Sequence, residues 1–221
     1  MCLNPTLDVH FMRVRLQNLR KVDNMNFTLS SLLTSFISDI FNIHLYIFIG
    51  TLLVALIVSD KGAKIDNLVY GAVVAVATLF VRHAVNWLFT TTIYQKGGYG
   101  SQGTTMIIFD TFRLGIITIM VIVAARMILG RASGLLEDKA PYVIMVISLI
   151  LLLAVHAYYL KVVANFANGI MNSSSFLSSF IDMTDHAKFN NIIFIVKSVL
   201  SVATVAPFGI EALKKRNDIP A

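Results

Sequence analysis

Residues 141–160 read PYVIMVISLILLLAVHAYYL, twenty consecutive positions without an Asp, Glu, Lys or Arg, and this stretch decides the fold. Wound as an α-helix at 1.5 Å per residue it covers about 30 Å, the thickness of a bilayer's hydrocarbon core. Working outward, the apolar run extends over 141–167, and four others approach the same length: 43–59, the shortest, then 68–94, 105–130 and 191–213. The expectation is an all-α, polytopic integral membrane helical bundle with about five transmembrane helices.

Composition agrees. The 221 residues are 57% apolar and 14% charged, with mean hydropathy +0.76, whereas a soluble domain is roughly 25% charged. The runs recur about every 35 residues and leave little chain for a soluble domain between them. Three parts follow: 1–24, a basic segment read as disordered or as an over-long reading frame ahead of Met25; 25–213, a single transmembrane domain; and 214–221, a basic cytoplasmic tail. A cleaved signal is not expected, since the first run begins as late as Ile43 and no A-x-A site follows it.

Two interfacial amphipathic helices are expected besides the spans. Leu29, Leu32, Leu33, Phe36, Ile37, Ile40 and Phe41 recur at helical spacing, with Ser, Thr and Asp39 on the opposite face. A second Ser/Phe-rich segment, 174–182, echoes 30–39, and each is followed by Phe-Asn (Phe41-Asn42, Phe189-Asn190) and an apolar run. Read as an internal repeat, the echo makes the first and last spans parallel, which requires an odd number of spans. Read as convergence, it reports only shared composition.

The pI near 9.5 and net charge of +6 would point to nucleic acid in a soluble protein, but here Lys and Arg cluster at the ends of apolar runs, so the basicity reports topology. Counted from Met25, one side holds Lys61, Lys64, Arg126, Arg131, Lys139, Lys214, Lys215 and Arg216, the other only Lys96 and Lys188. That places the N-terminus outside and the C-terminus in the cytoplasm, in a plasma or bacterial inner membrane. Arg13, Arg15, Arg20 and Lys21 pull the other way; if they belong to the mature chain, the first amphipathic segment becomes a re-entrant sixth element.

Chemical motifs are sparse. A single cysteine, Cys2, excludes an internal disulfide, a CxxC pair and a thiolate metal site. Residues 98–103 satisfy G-x-G-x-x-G but lack the preceding strand and following acidic residue of a dinucleotide site, leaving a flexible turn or a re-entrant pore loop. No H-E-x-x-H or paired carboxylate points to zinc. Ser133-Gly134 lacks the first glycine of a G-x-S-G intramembrane protease signature. His44, His83, His156 and His186 raise a b-type haem, of which only His83 and His156 fall within spans. Asn26-Phe27-Thr28 and Asn172-Ser173-Ser174 are glycosylation triplets, and Gly71, Ala75 and Ala77 form a small-residue stripe suited to close helix packing.

The candidate functional residues are the ionisable groups at membrane depth, each costing about 2.5–3.5 kcal/mol at a helix centre: Arg82, His83, Asp110, Arg113, His156 and Lys197. In the N-out topology all lie in the outer half, as for a polar vestibule or a subunit interface. The competing explanation is snorkelling, which suits Arg113 and Arg126, bracketing twelve uncharged residues. Arg82 fits it least, and Asp110, at matching depth on the next span, is its expected partner. Catalytic, cofactor and metal residues are not expected. The function expected is a non-catalytic membrane subunit of an export, conjugation or energy-transducing complex, partnered by lipid and by other subunits or copies of itself. The alternatives are a small homo-oligomeric channel or transporter with an outward-facing polar cavity, and a haem-bearing electron-transfer subunit.

Overall fold

A computed structural model describes residues 35–37, 39–89, 104–134, 138–172 and 176–217, with side chains set aside at 104–106 and 164–186. Segment 1–24, the 98–103 turn, Lys96, and the glycosylation residues Asn26 to Thr28, Ser173 and Ser174 lie outside the described residues. Residues Met1–Ser38 form a unit of their own, of which Ser35 to Ile37 are seen and are helical. The rest, Asp39–Ala221, is one unit.

That unit is a membrane bundle built from helices, with no strand among the described residues. The helices are α1 (Ile43–Val58), α2 (Lys64–Leu88), α3 (Thr104–Ser133), α4 (Ala140–Asn172), α5 (Phe176–Ala203) and α6 (Ala206–Asn217). Four stretches are long and apolar enough to cross a membrane: Lys64–Leu88, Ile107–Ser133, Ala140–Val163 and Ala187–Asn217; α1, at 16 residues, is a shorter apolar helix.

Each terminus has a local cause. Asn42 caps α1, its side-chain oxygen accepting from the His44 N–H at 2.9 Å. Ser59 closes it, its hydroxyl donating to the Ala55 carbonyl at 2.7 Å. After a tight turn, the Asn67 amide donates to that same hydroxyl at 2.9 Å, pinning α2 antiparallel to α1. Gly134, with φ 81°, takes the left-handed conformation that ends α3 and that glycine adopts without steric cost.

Helix α3 is the hub, packing against α1, α2, α4 and α6, and its Val121, Ala125, Ile128 and Leu129 are almost wholly buried. Helix α2 meets it along Gly71, Ala75, Leu79 and Arg82, a stripe at helical spacing. Ala77, expected in that stripe, is exposed. Gly71 is where the backbones close in: a Cβ there would fall 2.5 Å from a Leu52 methyl and 3.1 Å from Ile128. Hydroxyls of Thr51, Thr78, Thr118 and Ser198 donate to the carbonyl four residues back, which lets these residues sit in apolar helices without orphaned groups.

The expected run 191–213 is a broken helix. Pro207 has no N–H, and its ring clashes with the carbonyl four positions earlier, Ala203, which is where α5 stops. A turn at Thr204 and Val205 follows, its Thr204 hydroxyl donating to the Ser201 carbonyl at 2.7 Å. Helix α6 then continues through Asn217, so Lys214, Lys215 and Arg216 are its last turn, not a separate tail. Phe208 beside the break is fully buried.

The amphipathic segments also depart from expectation. The first does not run helically through Phe41, because the chain bends over Ile40 to Asn42. The second is continuous with α5, so Phe189-Asn190 lies mid-helix whereas Phe41-Asn42 precedes a capped start. The two Phe-Asn pairs therefore occupy different local structures.

Candidate polar sites in the membrane

Alternating helix directions give the bundle two polar ends. One gathers the start of α1, the end of α2, the early turns of α3 and the later turns of α4. The other gathers the α1–α2 turn, the end of α3, the start of α4 and α6.

At the first end, two carboxylates each hold one arginine and one histidine. Asp39 Oδ2 accepts from Arg82 Nη1 at 2.9 Å and lies 3.0 Å from His83 Nδ1. Arg82 and His83 are buried on α2, while Asp39 is more open. The bend before α1 delivers this carboxylate: the Asn42 amide donates to the Ile40 carbonyl at 3.2 Å, holding Asp39 over the end of α2. His44, also buried, lies with Nδ1 3.2 Å from the Asn42 side-chain oxygen. Burial opposes ionisation of Asp39, but hydrogen bonds from His83 and Arg82 and the arginine's charge outweigh it, leaving this carboxyl below its ordinary value.

In the second cluster, Asp110 on α3 accepts from Arg113 Nη2 at 2.6 Å, one turn along the same helix, and its other oxygen lies 2.9 Å from His156 Nε2 on α4. His156 is 95% buried by residue, and its Nδ1 has no hydrogen-bond partner among the described residues. Lys197 on α5 completes the group, its ammonium 5.2 Å from the centre of the Tyr159 ring and within electrostatic reach of Asp110 and Arg113.

The expected pairing of Arg82 with Asp110 is therefore not formed. Each has another partner, Arg82 in the lead-in to α1 and Asp110 on its own helix and on α4. Of the six candidates, Asp110, Arg113, His156 and Lys197 come together, whereas Arg82 and His83 belong with Asp39. Arg113 turns to Asp110 instead of reaching alone for the interface. His83 and His156 each turn a ring nitrogen toward a carboxylate, in separate clusters. Among the described residues no group of three or more His, Cys, Asp or Glu could hold a metal ion.

Two carboxylates of these polar ends escaped the sequence reading. Asp39 appeared only as a polar-face residue of an amphipathic segment. Glu211 lay inside the run 191–213, and its presence two residues before the end was the signal. It is 93% buried by residue, its Oε1 accepts from the Asp138 backbone N–H at 3.0 Å, and its Oε2 has no partner among the described residues. A carboxylate here also faces the positive end of α4's dipole. Nearby, Arg131 stacks over Tyr70 at 4.5 Å and Arg126 over Tyr142 at 5.3 Å.

Cavities described in the bundle have largely aliphatic linings. One, about 640 Å³, lies between α3 and α4, and another of about 310 Å³ lies between α1 and the end of α5 with α6. Comparison with protein-family models, with curated proteins and with solved structures finds no match for this chain.

Proposed function

We propose that the chain is a non-catalytic subunit of a larger membrane complex, of the kind that exports, conjugates or transduces energy, with its N-terminus outside and its C-terminus in the cytoplasm. The observation that carries this reading is the length of α4. Its 33 residues make about 50 Å of helix, against a hydrocarbon core of about 30 Å. It packs along α5, itself 28 residues long, and the two form an arm that outruns the apolar spans at Val163 and Ala187. A helical pair reaching past the bilayer is suited to meeting another subunit. Pairing of the intramembrane charges inside the chain supports a structural role for them, and the orientation rests on the Lys and Arg gathered at the α6 end.

Tagged protein purified in mild detergent from its native membrane, with native mass and partner identification, tests the proposal. Stoichiometric foreign subunits are expected, and a chain that purifies alone refutes it. Orientation is read separately: Cys2 is the sole cysteine, so Cys2→Ser with Lys215→Cys gives one reporter, expected to resist an impermeant thiol reagent added to intact cells.

One observation favours a second reading, a homo-oligomeric channel or transporter. Asp110, Arg113, His156 and Lys197 bring polar groups from three helices together at membrane depth. That reading requires conductance or flux by the purified chain, altered by Asp110→Asn.

A further inference from the structure

A cavity of about 310 Å³, at the lower end of ligand-sized pockets, lies between the start of α4 and the break that separates α5 from α6. Pro141 and Ile144 line it from α4, Ala203 and Pro207 from the break, and Ile210 and Glu211 from α6. Ile144 and Ile210 are about half exposed, so the cavity is reached from outside the bundle.

Its walls are apolar except where Glu211, Asp138 and Lys214 meet it. Glu211 is buried, and one donor holds it: the Asp138 backbone N–H reaches Oε1 at 3.0 Å, while Oε2 has no partner among the described residues. An oxygen so placed has given up water and gained no donor in return. The neighbouring cation on the same helix does not supply one. Lys214, one turn along α6, lines the same cavity but is exposed and leaves Oε2 unmet.

The cavity therefore calls for one cationic donor carried on an apolar stem. A lysine side chain has that form, its methylenes lying along apolar wall while the ammonium donates as a point charge. Arginine matches less well, because its paired donors suit a carboxylate with both oxygens open, and Oε1 is already taken. Calcium or magnesium would need about six or more oxygen ligands, whereas no group of three or more His, Cys, Asp or Glu is available among the described residues.

We infer that this cavity receives a lysine side chain from a different subunit of the complex, its stem along Pro141, Ile144 and Ile210 and its ammonium on Glu211 Oε2. Asp138, in the same wall, adds a second negative charge that favours a cation over a neutral group. That the lysine belongs to a different subunit rests on the assembly proposal; the preference of the cavity for an alkylammonium does not.

The preference is tested on the full chain in mild detergent with n-butylammonium, which is the lysine side chain alone, and n-butanol, its uncharged counterpart. Protection against unfolding by a denaturing detergent gives both affinities by linkage. Expected is butylammonium binding at least about fivefold tighter, an advantage lost in Glu211→Gln. Ala140→Leu, which narrows the cavity from α4 and keeps the carboxylate, should weaken butylammonium binding and keeps the test decisive should the glutamate variant fail to fold. Equal affinities for the two probes overturn the inference. So does butylammonium binding that appears only in Lys214→Met, because the chain's own lysine then fills the cavity. The source of the lysine is read in native membranes with p-benzoylphenylalanine placed at Ile144, where a photo-cross-link to a lysine-bearing segment of a co-purifying subunit is expected. A link only to lipid or to a second copy, in a preparation that does hold foreign subunits, overturns the inference and leaves the assembly proposal standing. A chain that purifies alone refutes that proposal, and the foreign lysine with it, whatever butylammonium does.

Discussion

Replacing Asp39 should unseat a buried arginine, and the size of the effect follows from the exposure of the two partners. A hydrogen bond to a charged group contributes about 1.5–3 kcal/mol when desolvated. The Asp39 side chain is 35% exposed, so water recovers part of that, and Asn retains one acceptor; Asp39→Asn should therefore cost about 1.5–2 kcal/mol. The Arg82 side chain is only 11% exposed and its Nε already lacks a partner among the described residues, so most of the loss reports an uncompensated guanidinium. Arg82→Leu alone should cost about 1.5 kcal/mol, because Asp39 can turn to water. With that cation gone Asp39 has little left to do, so the double variant should lose only about 2 kcal/mol, a coupling of about 1–1.5 kcal/mol where independent sites add to within about 0.5. Asp110→Asn combined with Arg82→Leu should be additive within that margin, since their partners differ. Unfolding of the full chain in mixed micelles, titrated with a denaturing detergent and followed by circular dichroism, measures the five variants against wild type. Coupling below about 0.5 kcal/mol between Asp39 and Arg82, or above about 1 kcal/mol between Asp110 and Arg82, refutes the assignment.

Acid should reveal the same carboxylate. The folded protein holds Asp39 below its ordinary value of 3.8, so its contribution is complete at neutral pH and is lost as pH falls through the lower folded value; melting curves should show wild type losing its advantage over Asp39→Asn only below about pH 4. At the helix crossing, Gly71→Leu must displace Leu52 and Ile128 and should cost about 1–3 kcal/mol. Gly50→Ala, whose Cβ meets nothing within 4 Å, should stay within about 1 kcal/mol of wild type in the same unfolding assay. At the other end, Glu211→Ala strands the Asp138 N–H and should cost about 1.5–3 kcal/mol. Glu211→Gln keeps the acceptor and should lose less than half as much; equal losses would mean the carboxylate charge, not the hydrogen bond, holds α6 to α4.

The span pattern was legible because it depends on one variable, the length of charge-free chain, and residues 141–160 state it without ambiguity. What could not be read this way is rotation about each helix axis. Chain position gives Arg82 and Asp110 a common expected depth, but depth does not say which face of α2 meets which face of α3. The small residues supplied part of that answer: Gly71 and Ala75 do lie on the buried stripe, whereas Ala77, two positions on, points out because a helix turns about 200° over that interval. The break before α6 was readable in principle, since Pro207 must release the Ala203 carbonyl, but the uninterrupted hydropathy on both sides concealed it.

Arg82 and the shortness of α1 explain each other. Sixteen residues make about 24 Å of helix, less than a bilayer core of about 30 Å, so α1 is shorter than a full crossing. The chain ahead of it is Asp39 to Asn42, and the Asn42 cap and bend start the helix there. Its four residues carry one carboxylate, held over the end of α2 where Arg82 and His83 lie. An arginine six residues before Leu88 would otherwise have to reach about 9 Å along its own helix; here the polar lead-in comes to it. Lengthening α1 by four apolar residues after Asn42 should therefore be more damaging than Asp39→Asn alone, although it improves the match to the bilayer, because it withdraws carboxylate, cap and bend from Arg82 together. A lengthened helix as stable as wild type would show that the arginine is solvated from elsewhere.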